Sequence, residues 1–166
     1  MSAISTGVVF IHSAPRALCS HVEWAVSTAL GAPARFDWQS QPALPGMRRT
    51  EYRWTGPAGS GAALASALQG WEQLRFEVTE DATSSADAGR WCHTPSLGIF
   101  YSPVDAAGNM VVTENRIRAI VDFAGNDADL LREGLVRSLG EPWDAELDVF
   151  RYASDVAPVR WLHSAS

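Results

Sequence analysis

Lysine is missing altogether: all thirteen basic residues of the 166-residue chain are arginine. Schiff-base and lysine-carbamate chemistry is thereby excluded, and any anion has to be gripped by guanidinium groups or backbone amides. A GC-rich coding sequence produces this bias together with abundant Ala and Gly. Cysteine is scarce too. Cys19 and Cys92 stand 73 positions apart, which gives no disulfide framework and points to a reducing compartment. Positive charge is in deficit, with 13 basic against 19 acidic residues and a net charge of −6, so a nucleic-acid binder relying on bulk attraction is not expected. No apolar run approaches membrane-spanning length, and Met1 to Thr6 lack the basic start of a signal peptide. The expectation is a soluble cytoplasmic protein, with no membrane and no nucleic acid among its partners. At 46% hydrophobic residues, the chain can build a core without staples or metals.

What is present reads as alternating elements. Gly7-Val-Val-Phe-Ile-His12 is a nearly continuous apolar run, the pattern of a strand buried on both faces. Ser13 and Pro15 punctuate it, and Leu18, Val22, Ala25, Val26 and Ala29 form a helical stripe ended by Gly31. Ala34 to Gln39 and Arg48 to Thr55 predict a hairpin with a loose Pro- and Gly-containing loop. Ser60 is a candidate N-cap for a helix carrying Leu64 and Leu68. Leu74, Phe76 and Val78 then alternate with Arg75, Glu77 and Thr79, a half-buried strand with its polar side outward.

Strand, helix, strand, strand, helix, strand within about 80 residues is the split βαβ signature of a ferredoxin-like fold. We therefore expect an α+β protein: a ferredoxin-like βαββαβ core over 7–80, with two helices on one face of an antiparallel sheet. Residues 81–90 read as a polar surface loop, and Leu97–Tyr101 with Met110–Val112 as a second hairpin. Three helices follow, one capped by Thr113 and ended by Gly125, one ended by Gly140, and one starting at Glu141-Pro142. With no convincing linker, 1–166 is read as a single domain, 91–166 being a C-terminal hairpin and helices packed on the core.

His12-Ser-Ala-Pro-Arg-Ala-Leu-Cys19 and its continuation to His21-Val-Glu-Trp-Ala25 resemble the opening of an actinobacterial family catalogued as domain of unknown function 3145. Leu74-Arg-Phe-Glu-Val78, Leu97-Gly-Ile-Phe100 and Pro158-Val-Arg-Trp-Leu-His163 extend the resemblance over nearly the whole chain. It implies no specific reaction or cofactor. It does imply a gene neighbourhood of type II fatty-acid synthesis, with acyl carrier protein or another protein of that system as a partner.

The strand-to-helix junction concentrates chemistry: His12, Ser13, Arg16, Cys19 and His21 fall within ten residues. A helix N-terminus there exposes unpaired amides, Ser13 adds a hydroxyl and Arg16 a bidentate grip. This is an expected pocket for an anion such as the phosphate of a phosphopantetheine arm; the alternative is a capping Ser13 and a surface Arg16. Cys19 is a candidate nucleophile only with His12, because His21 lies about 200° around the helix from it. Cys19, His21, Cys92 and His93 lack zinc spacing, so no metal is expected, and Gly56-Pro-Ala-Gly-Ser-Gly61 lacks the Lys-Ser/Thr of a phosphate loop. Among seven tryptophans, Trp24, Trp54 and Trp71 read as core or core edge. Trp38, Trp91, Trp143 and Trp161 are groove or interface candidates, Trp161 standing beside Arg160 and His163. Asp144, Glu146 and Asp148 read as solvated surface, while Arg48, Arg49 and Arg53 belong either to a functional patch or to a solvated sheet face.

The favoured function is a non-catalytic binding or regulatory module with ligand-binding residues His12, Ser13, Arg16, His21, Trp161 and His163. Its ligand would be a small anion, a phosphopantetheine group or a protein partner, and a homodimer is reasonable. The rivals are a small acyl transferase or thioesterase using Cys19 and His12, and a scaffold subunit of a synthase complex.

Overall fold

A computed structural model describes residues 3–153. One antiparallel six-stranded sheet runs in the spatial order β2-β3-β1-β4-β5-β6. Its strands are β1 (Ile4–Pro15), β2 (Gln39–Ser40), β3 (Met47–Pro57), β4 (Arg75–Glu80), β5 (Ala88–Thr94) and β6 (Gly98–Val104). Among the described residues five α-helices accompany it: α1 (Cys19–Leu30), α2 (Ser60–Leu68), α3 (Glu114–Ala124), α4 (Ala128–Ser138) and α5 (Glu141–Arg151). The architecture is α+β, and among the described residues no helix is long and apolar enough to cross a membrane.

The sheet has two differently covered faces, because successive strand side chains point to opposite sides. Val9, Ile11, Trp54, Phe76 and Val78 pack with Val22 and Val26 of α1 and Leu64 and Leu68 of α2 into the main core. A second, smaller cluster joins Cys92 and Phe100 to Trp143 and Leu147 of α5. The terminal helix therefore covers part of the other face. Glu80, at the end of β4, anchors α2: its carboxylate accepts from Gly59 N at 2.7 Å and Gly61 N at 2.9 Å. A carboxylate here satisfies helix-terminal donors and complements the helix dipole.

Several expectations are corrected. The first strand does not stop at His12 but continues to Pro15, with a register shift between Ile11 and Ser13. This bulge buries Ile11, His12 and Ser13 in succession. A single 3-10 turn, Arg16–Leu18, intervenes before α1, whose N-cap Leu18 offers no side-chain cap. The expected hairpin forms only at its inner end, where Gln39 and Ser40 of β2 pair with Arg49 and Arg48 of β3; residues 34–38 are not a strand, because their polar groups are taken by side chains. Glu23 accepts from Phe36 N and Trp38 Nε1, while Ser27 bonds both polar groups of Ala34. Ser60 lies inside α2, with Gly59 as N-cap. The 81–90 loop yields its last three residues to β5. The later hairpin is β5 with β6, joined through Pro95 to Leu97; Met110 adds only a bridge to Val104. Trp24 is 68% exposed rather than core, and Trp143 is buried rather than at a groove.

Gly7 shows how closely the central strands approach. A Cβ built there would sit 1.9 Å from the backbone oxygen of Thr79, and neighbouring ladders on both sides prevent β1 from moving away. Gly7→Ala is expected to cost about 2 kcal/mol or more, read as a lowered urea midpoint with the slope unchanged.

Candidate functional site

On the sheet face away from α1 and α2, a fully buried carboxylate organises the surroundings. Glu77 (0% exposed) comes from β4, at a position where alternation alone would send it to solvent. Its Oε2 accepts from His12 Nε2 at 2.6 Å and from Arg151 Nε at 3.0 Å. Its Oε1 accepts from Arg151 Nη2, from Arg90 Nη2 at 3.5 Å and from the Cys92 thiol at 3.4 Å. The cluster continues outward: Arg90 Nη2 meets Asp144 at 2.5 Å, and Arg151 meets Asp144 at 3.0 Å and Asp148 at 2.8 Å. Strands β1, β4 and β5 and helix α5 are thus tied through one side chain.

Electrostatics follow from this packing. Burial alone pushes the Glu77 carboxyl up, but the hydrogen bonds and charges of His12 and Arg151 outweigh it and hold it well below the usual carboxylate range. Burial and the neighbouring Glu77 push the Cys92 thiol well up. Burial depresses Arg151, but Glu77, Asp144 and Asp148 more than compensate, so it stays protonated.

Beside this cluster lies an open groove of about 1040 Å³, near the upper end of the range for small-molecule sites. Val8 and Phe10 of β1 lie along its floor, Arg53 of β3 and Arg90 of β5 line it, and Val104, Met110 and Leu139 border it. Arg90 belongs to both structures. Its Nη1 approaches the Met110 sulfur at 3.4 Å, and its buried Nε–H has no acceptor among the described residues. The groove exists because α5 covers only one end of this sheet face, while α3 packs chiefly on α4 and α4 on α5.

Residues 8–164 match the family described as a protein of unknown function (DUF3145). The chain belongs to that family. No curated protein and no solved structure matches it.

Within this DUF3145 chain the sequence-predicted site residues part company. His12 is buried against Glu77 and stacked 6.0 Å from Phe10. Ser13 lies in the bulged strand, not at a helix N-terminus, and accepts from Arg75 Nη1 at 3.2 Å. The Arg75 guanidinium in turn sits 4.6 Å over the Phe150 ring, so side chains cover that corner. Arg16 and His21 are exposed; Trp161 and His163, with Arg160, lie outside the described residues. Cys19 opens α1, its thiol 3.8 Å from the Pro15 carbonyl and its ionisation pushed up by burial. His12 and Cys19 thus have separate partners, and the structure does not bring them into a nucleophile–base pair. His93 is buried rather than partly exposed, its Nδ1 bonding the Leu74 carbonyl at 2.7 Å. Among the described residues no three His, Cys, Asp or Glu side chains converge as metal ligands. Asp144 and Asp148 are ion-paired rather than merely solvated, and Glu146 accepts from Ser96.

Sequence reasoning missed Glu77, Arg90 and Arg151. The available signal was Glu77 inside the apolar-rich Leu74–Val78 stretch, which also carries the family resemblance.

Two outcomes follow. Because the folded-state pKa of Glu77 is depressed, its contribution to stability is complete above its ordinary value near 4.5. That contribution is lost as pH falls toward the lower folded-state value. Glu77→Gln should destabilise the protein at pH 7 by about 3–5 kcal/mol and flatten the stability loss between about pH 5 and 2, measured by denaturant melts across pH. Both thiols should alkylate with iodoacetamide more slowly than free cysteine at pH 7, Cys92 only on unfolding. Rapid labelling of Cys19 would restore the nucleophile reading.

Proposed function

We propose that the protein is a non-catalytic binding or regulatory module that receives its ligand in the sheet groove. The observation that carries this reading is the groove itself. It is large, its floor is set on hydrogen-bonded strands, and its wall residue Arg90 is fixed by a buried ion network. Sites built on rigid elements lose little entropy on binding. The thiols argue in the same direction, since raised ionisation leaves neither Cys19 nor Cys92 an activated nucleophile.

The ligand assignment moves from the strand-one corner to the groove, because Ser13 is already engaged there and Arg16 is exposed. The gene neighbourhood implied by the family resemblance supports a cytoplasmic role alongside type II fatty-acid synthesis. Acyl carrier protein, presenting its phosphopantetheine arm, would then be the partner. For the fold, we read β1 through β4 with α1 and α2 as ferredoxin-like. The spatial order β4-β1-β3-β2 and the two helices sharing one core support that reading.

Thermal-shift titration with acylated carrier protein, acyl-coenzyme A and coenzyme A tests the proposal. At least one acylated species should raise Tm in the wild type, and Val8→Trp, which fills the groove floor, should abolish the rise while melting cooperatively. No rise with any of them, or an equal rise in Val8→Trp, would overturn it.

A further inference from the structure

The chemistry of the groove wall narrows the ligand further, and this step rests on the groove reading above. Glu51, Asp81, Glu141 and Asp144 line the groove beside two arginines, so it has no surplus of positive charge. The buried one of these two arginines is not free for an anion. Arg90 is taken up by Asp144 and Glu77, and Arg53, 83% exposed, stands 3.9 Å from Glu51. A ligand carboxylate or phosphate placed beside Arg90 would meet Asp144, which already takes up that cation, and this is unfavourable. A neutral ligand carries no such penalty.

Apolar surface continues from the groove onto the helical hairpin. Ile120 of α3 packs tightly over Gly134 of α4, where a Cβ would come within 2.5 Å of the Ile120 Cγ2. That seals one side of the pair. On neighbouring turns Ile117, Val121, Leu135 and Leu139 remain between 39% and 50% exposed, and Leu139 itself lines the groove. This stripe is continuous with the Val8 and Phe10 floor through Leu139. An unshielded apolar stripe bordering a groove is where a long apolar ligand gains most from leaving water. A donor is left over at this wall: the buried Arg90 Nε–H has no acceptor among the described residues. Leaving such a donor unsatisfied is costly, and a neutral oxygen suffices to satisfy it.

We infer that the groove takes an elongated, largely apolar chain bearing an uncharged carbonyl, such as an acyl ester, thioester or amide. The carbonyl accepts from Arg90 Nε–H, and the chain runs from the Val8–Phe10 floor toward the α3–α4 stripe. A free anion is not the species that enters.

The test is displacement of the neutral fluorophore N-phenyl-1-naphthylamine from the full-length protein. Methyl decanoate should displace it about tenfold more tightly than decanoate or decane, and inorganic phosphate should not compete. Val121→Asp and Leu135→Asp, both at exposed positions, should weaken methyl decanoate about tenfold without lowering Tm. Arg90→Lys keeps a cation beside Asp144 but removes the Nε–H, and should erase the advantage of the ester over decane. If Arg90→Lys fails to fold, the wild-type comparison of ester with decane decides the same point. Equal or better displacement by decanoate, decane or phosphate overturns the inference and leaves the groove reading standing, as does unchanged binding in both hairpin variants. Failure of the wild type to bind fluorophore and ester alike sinks the inference, while the groove reading is judged separately by the acylated carrier titration.

Discussion

A carboxylate with no exposure to water is the constraint around which the rest of this structure is arranged. Glu77 would be prohibitively costly where it stands if its charge were uncompensated. His12, Arg151 and Arg90 supply the compensation, one from a strand bulge, one from the last helix and one from the neighbouring strand. Each is buried in turn and needs Glu77 as much as Glu77 needs it. The last helix is thereby fixed by polar contacts as well as by Trp143 and Leu147, and its position decides how much of the sheet face stays open. An apolar core of the same volume would hold as well. The ion cluster adds directionality, because only one placement of α5 brings Arg151 to both oxygens of Glu77.

The two sheet faces follow different rules as a consequence. The face under α1 and α2 is a conventional apolar layer, and even its one buried acid, Glu80, serves as a helix anchor. The other face is half apolar and half ionic, and it is only partly roofed. Its open remainder is the groove. The α3–α4 hairpin does not close that remainder because its inner surface is spent on the contact between Ile120 and Gly134, leaving the stripe beside it uncovered.

Regions governed by local periodicity were legible in the sequence. The Val22–Val26 stripe, the alternation through Phe76 and Val78, and the Thr113 and Gly125 stops fall where the helices and strands begin and end. What escaped depends on tertiary contacts. Alternation assigns Glu77 to solvent because it carries no information that residues 141–151 return over that face. Continuation of β1 past His12 depends on a bulge, and nothing in Ser13-Ala-Pro15 announces one. The failure of residues 34–38 to pair as a strand comes from Glu23 and Ser27, side chains on a helix whose orientation no local pattern predicts. The candidate site was therefore half legible. His12 was singled out for the helix corner, whereas the structure sets it against the buried acid Glu77.

Arg90 explains why the groove and the ion cluster cannot be considered separately. One guanidinium nitrogen is locked to Asp144 and Glu77, another touches the Met110 sulfur at the groove border, and the Nε–H has no acceptor among the described residues. A side chain held this firmly by two carboxylates cannot swing to meet a ligand, so a ligand has to come to it in one orientation. For the proposed ligand, that rigidity would give an apolar trough a fixed polar reference point. The buried charges impose it, since relaxing Arg90 toward a ligand would strip Asp144 of one of its two cations. Selectivity at the proposed ligand groove would thus be set by the same electrostatic balance that holds α5 against the sheet.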